Sequence, residues 1–94
     1  MKIRRLALDV DKAVSRPDLL KLAAAMEGVK GVDGVNITVT EIDIETIGLN
    51  VTVEGDAIDY EEMRKAIERE GAVVNSIDQI VVGNRTVEWV KRGR

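Results

Sequence analysis

The sequence predicts one α+β domain whose elements run strand, helix, strand, strand, helix, strand. Three observations predict it: period-two hydrophobic alternation in short segments, two helical segments with capping signals, and a second half that echoes the first. A chain of 94 residues supports one core and no second one. Any site therefore lies on that core's surface or between copies of it.

From Arg5 to Val10, Leu6, Leu8 and Val10 alternate with Arg5, Ala7 and Asp9, the pattern of a strand with one buried face (β1). Ser15 reads as a helix N-cap, with Pro17 in the first turn, Asp18 three residues on, and Gly28 as the stop (α1). Leu19, Leu22, Ala23 and Met26 share one face of that helix. After the breaks at Gly31 and Gly34, Val35, Ile37 and Val39 alternate with Asn36, Thr38 and Thr40 (β2). Glu41 to Thr46 carries a hairpin, and Leu49, Val51 and Val53 then alternate with Asn50, Thr52 and Glu54 (β3). Asp59 as N-cap, Glu62 at N3, an Ile58–Met63 staple and a stop at Gly71 define the second helix (α2). Val73 to Val82 closes the order (β4), its imperfect alternation implying a bulge or burial on both faces.

The half-repeats lie about 43 residues apart: Leu6, Leu8 and Val10 map onto Leu49, Val51 and Val53, Gly28 onto Gly71, and Ile37 and Val39 onto Ile80 and Val82. Two such halves give one four-stranded antiparallel sheet with both helices on one face, the ferredoxin-like βαββαβ sandwich. Its open face carries small or polar residues, among them Arg5, Asp9, Asn36, Thr38, Asn50 and Thr52, and is either wet or covered by another subunit. Residues 1–84 make the domain, and 85–94 form a basic tail, a candidate oligomerisation extension.

Composition narrows the chemistry. The chain has no Cys and no His, which removes disulfides, thiolate chemistry, the commonest general base and most transition-metal sites. Net charge is −3, and Tyr60 and Trp89 are the only aromatics, so a nucleic-acid partner is not expected. The basic start Met1-Lys2-Ile3-Arg4-Arg5 is followed by an apolar run that Asp9 and Asp11 break, so it does not read as a signal peptide. A cytoplasmic setting and no membrane partner are expected.

With β1 and β3 taken as parallel neighbours in mid-sheet, their ends and the starts of β2 and β4 share one pole. That pole would gather Asp9, Asp11, Asp33, Glu54 and Asp56. Clustered carboxylates suit a hard cation, so Asp9, Asp11, Glu54 and Asp56 are candidate ligands for Ca²⁺ or Mg²⁺. The plainer reading is that helix N-termini at this pole attract carboxylates. Asp9-Val10-Asp11 also resembles the Asp-x-Asp of haloacid-dehalogenase-type phosphatases, but those need a doubly wound domain well above this length. Acylphosphatase chemistry needs a phosphate-cradling loop with Arg after β1, where this chain has acids. Metallochaperone chemistry needs a Cys-x-x-Cys that is absent. Gly28, Gly31 and Gly34 follow a helix and are spaced by three, so they are turn residues and no dinucleotide fingerprint.

Beyond Gly83, Val87, Trp89 and Val90 sit among Arg85, Lys91, Arg92 and Arg94. This tail either folds back over a sheet edge or docks on a neighbouring subunit, which makes Val87, Trp89, Val90 and Arg92 candidate interface residues. It is expected near Lys2, Arg4 and Arg5, opposite the acidic pole. Head-to-tail association, able to close into a ring, would follow.

The segments Leu8-Asp9-Val10, Gly31-Val32-Asp33-Gly34-Val35-Asn36-Ile37, Glu41-Ile42-Asp43-x-Glu45-Thr46 and Asn75-Ser76-Ile77-Asp78 resemble an archaeal domain-of-unknown-function family, number 211. The resemblance spans nearly the whole chain and implies a ferredoxin-like fold, an archaeal cytoplasmic setting and ring-like homo-oligomers, with no activity attached. Family members often carry His where this chain has Asn75, which argues against an obligatory imidazole there. Asn36, Ser76 and Asp78 match the motifs and, with Asn75 beside them, are candidates for a small-ligand or interface site; Asn and Ser at strand starts also satisfy turn backbone groups. Three functions follow: a non-catalytic homo-oligomeric ligand-binding or regulatory module, a divalent-cation-dependent enzyme acting on phosphate esters through Asp9 and Asp11, or a purely structural assembly subunit.

Overall fold

Leu6, Leu8 and Val10 on one strand and Leu49, Val51 and Val53 on another are fully buried and face one another in register across the middle of the sheet. The computed structural model describes residues 1–93. In it the strands are β1 (Ile3–Ala13), β2 (Val32–Ile42), β3 (Thr46–Gly55) and β4 (Val73–Val82), and the helices are α1 (Leu19–Glu27) and α2 (Tyr60–Arg69). The sheet order is β2-β3-β1-β4 with every pair antiparallel. This is the expected ferredoxin-like arrangement.

One sequence expectation is corrected: β1 and β3 are antiparallel, Leu8 pairing with Val51 and Val10 with Leu49. The reason is topological. The α1 crossover returns β2 parallel to β1, and the short turn after Ile42 makes β3 antiparallel to β2. A strand inserted between β1 and β2 must then oppose both. The two halves of the repeat thus face each other head to toe.

Helix α1 packs on β2, α2 packs on β4, and the helices touch each other over a core that includes Leu22, Met26, Met63 and Ile67. The Asp59 cap is as expected, its carboxylate accepting from the Glu62 N–H at 3.1 Å, with Ile58 and Met63 both buried. The α1 cap is not. Asp18, and not Ser15, holds that position and accepts from the Leu20 N–H at 2.7 Å. Because β1 runs on to Ala13, the segment through Pro17 is spent reversing the chain. Strand β4 carries the expected irregularity, with register shifts against β1 between Ala7 and Leu8 and between Asp9 and Val10.

The loop before β2 and the loop after β3 cross tightly. Gly31 holds φ +89, and its carbonyl accepts from the Asp56 N–H at 2.9 Å. A Cβ on Gly55 would run into that carbonyl. No helix among the described residues is long and apolar enough to cross a membrane.

Candidate functional site

The open face is ordered by strand register into three rows across the sheet. Thr38, Asn50, Asp9 and Ser76 form one row, and Asn36, Thr52, Ala7 and Gln79 the next. Gly34, Glu54, Arg5 and Val81 form the third. Alternation puts the polar side chains here because Leu6, Leu8 and Val10 claim the other face for the core.

The single acidic pole expected from the sequence does not exist, because it depended on parallel central strands. Asp9 lies opposite Asn50 and Asp11 opposite Gly48, whereas Glu54 lies opposite Arg5 at the other end of β1. Four residues of strand separate Asp9 from the Glu54 row, about 13 Å. Glu54 and Asp56 are moreover engaged: Arg5 Nε donates to Glu54 Oε2 at 2.8 Å, and Arg4 Nη1 to Asp56 Oδ1 at 3.4 Å. The four carboxylates do not form one cation site within the chain. Among the described residues no group of three or more candidate ligands converges, and the cation-dependent phosphate-ester reading loses its geometric basis.

The polar candidates are also separated. Asn36 belongs to β2 and Asn75, Ser76 and Asp78 to β4, the two opposite edges of the sheet, three strand spacings or about 14 Å apart. The expectation that they gather at one pole is corrected because the sheet order holds their strands at opposite edges, with Asn36 and Ser76 in neighbouring rows near mid-sheet. Each edge has its own local bond. Thr38 Oγ1 donates to Asn36 Oδ1 at 2.6 Å, and Ser76 Oγ donates to Asp78 Oδ1 at 2.8 Å. At the β4 edge, Asn75 lines a shallow groove with Asp11, Glu45 and Thr46.

The tail folds back over the sheet beside β1 and β4. The Gly83 N–H donates to the Lys2 carbonyl at 2.8 Å, and Arg5 grips Glu88 with two bonds, Nη1 to Oε1 at 2.9 Å and Nη2 to Oε2 at 3.0 Å. The Arg5 guanidinium bonded to Glu88 holds its carboxyl below the usual carboxylate range, and the hydrogen bonds to Glu88 and then Glu54 raise the Arg5 pKa further. Nearness to Lys2 and Arg5 is as expected, whereas Arg4 is turned to Asp56. Trp89 nevertheless stays 77 % exposed.

Two features escaped the sequence reading. Lys12 continues the inward alternation of Leu8 and Val10 and is buried, its Nζ donating to the carbonyls of Ala13 and Val14 at 2.7 and 3.4 Å. The hairpin between β2 and β3 alternates Glu41, Ile42, Asp43, Ile44 and Glu45, and its isoleucines are exposed by 74 % and 90 %. Apolar residues in alternation with acids across a turn were the available signal. A turn cannot bury both sides.

Comparison with known proteins finds similarity over nearly the whole chain. The model of domain-of-unknown-function family 211, described as uncharacterised ArCR, matches residues 4–94. An uncharacterised protein of Methanocaldococcus jannaschii, MJ0319, is 40% identical over 89 residues, covering 95% of this chain and 91% of that protein.

Proposed function

We propose, for a chain that belongs to the archaeal domain-of-unknown-function family 211, that it works by binding: it is a homo-oligomeric, non-catalytic module that holds a small ligand between its subunits in the cytoplasm. The observation that carries this reading is the apolar surface at one edge. Ile77, Ile80 and Val82 of the outer strand β4 are about half exposed, and Val87, Trp89 and Val90 of the tail lie beyond them. An open strand edge bordered by apolar side chains is a template for another chain, and monomeric domains rarely leave one uncovered.

The ligand part of the reading rests on the separated polar groups. Asn36 sits at one edge and Ser76 and Asp78 at the other. A neighbouring copy can bring such groups together, which makes a subunit junction the natural place for a ligand. Amide and hydroxyl groups with the Asp78 carboxylate suit a small polar molecule carrying a cationic group. A sequence without Cys or His supports binding over catalysis.

Native mass spectrometry of freshly purified protein tests both parts. The expected spectrum is a multiple of the 10.3 kDa chain with a stoichiometric extra mass that leaves on denaturation. A single chain at every concentration would sink the proposal. An assembly of bare chains would remove the ligand and leave a structural subunit.

A further inference from the structure

We infer that the tail of one copy docks on the β2–β3 hairpin of another, its Trp89 and Val90 packing on Ile42 and Ile44 while Lys91 and Arg92 meet Glu41, Asp43 and Glu45. This rests on the homo-oligomeric reading above and names its contact. The two surfaces are complementary in both senses that matter. Each sets exposed apolar residues beside charges: Ile42 and Ile44 alternate with acids on the hairpin, and Trp89-Val90 run directly into Lys91-Arg92 on the tail. None of these charged groups takes an ion pair among the described residues, whereas Glu54, Asp56, Glu61, Glu68 and Glu88 all do.

One chain cannot make this contact with itself. The tail is tied down at Glu88 by Arg5, which lies opposite Glu54, while the hairpin begins past Thr46 at the far end of the outer strand pair. Those points are separated by about 26 Å along the strands and about 10 Å across them. Trp89 to Gly93 reach at most about 18 Å when fully extended. A second copy removes the obstacle because its position is free: offset or reversed along the strands as well as set beside the β4 edge, it brings its β2–β3 turn to the tail at the Val82 end. The contact joins two different surfaces, so it is heterologous and propagates from copy to copy, the rotation between copies setting whether it closes. Apolar packing supplies its strength, and the opposed charges set its orientation and make it weaken with salt.

Charge reversal with a mixing arm tests this. One variant carries Glu41→Lys, Asp43→Lys and Glu45→Lys; the other carries Lys91→Glu and Arg92→Glu. All five positions are exposed, and far-ultraviolet circular dichroism checks that both variants keep the fold. By sedimentation velocity each variant alone is expected to fall to the single-chain mass of 10.3 kDa, since its hairpin and tail then repel. An equimolar mixture is expected to reassemble, because each reversed hairpin meets a reversed tail. Variants that keep the wild-type mass, or a mixture that stays dissociated, overturn the docking while leaving a homo-oligomer standing. A wild type that is itself a single chain overturns both readings. Trp89→Ala gives a second line: the assembly is expected to dissociate at higher protein concentration than wild type, and an unchanged profile counts against the contact.

Discussion

Gly55 shows what a missing side chain does in this fold. A methyl group there would collide with the Gly31 carbonyl and crowd Val32, and Gly31 is held at φ +89 by the same crossing. Backbone cannot yield as a flexible side-chain tip can. Gly55→Ala is therefore expected to cost about 1–3 kcal/mol, read as a lower urea midpoint with an unchanged slope; wild-type stability would mean that the crossing relaxes freely. Lys12 is the converse case, a charged end accepted inside because two carbonyls receive it and its stem continues the apolar stripe of β1. The hairpin isoleucines are a third, apolar residues that local alternation cannot bury.

Among the elements, α2 is the better specified helix. Asp59 accepts from the Glu62 N–H, Glu61 and Glu62 sit in the first turn with Arg69 in the last, and Arg64 bridges Glu61 and Glu68 at 2.9 Å each. Asp59→Ala removes the cap and is expected to lower stability by about 1 kcal/mol, with circular dichroism melting as the measurement. Asp59→Asn, which retains an acceptor, is expected to recover most of it. An Asn variant as weak as the Ala variant would show that charge, and not the cap bond, matters there. Strand β4 is the least specified element, because its bulges and half-exposed isoleucines leave one face neither in the core nor in water.

At the scale of the whole molecule, the Arg5–Glu88 pair joins the two chain ends across the sheet. Glu88 is depressed in the folded state, chiefly by the Arg5 hydrogen bond, so the tie is complete above the unfolded carboxylate range and is lost as pH falls through the lowered pKa. Trp89, the only tryptophan, lies next to Glu88 and reports this by fluorescence. Its emission is expected to hold through neutral pH and to change only in acid, below the ordinary carboxylate range. In Glu88→Gln the acid transition is expected to vanish. A transition of the same size in that variant would assign it to another group.

Element order, the inward faces of β1 and β3, the Asp59 cap and an irregular β4 were legible in the sequence, because alternation, capping and turn chemistry act between residues close in the chain. The sequence also showed the tail as apolar and basic and the polar open face as polar. Tertiary structure decided what lies beside what. The reversal of β3 sent Glu54 and Asp56 to Arg5 and Arg4, and left Asp9 and Asp11 at the other end. The strand order parted Asn36 from Ser76 by the width of the sheet, and the same layout set tail and hairpin too far apart for one chain to join. The physical reason is that strand direction is fixed by connections and pairing across the whole chain, so reversing one central strand relocates every residue at its ends without changing a single local pattern.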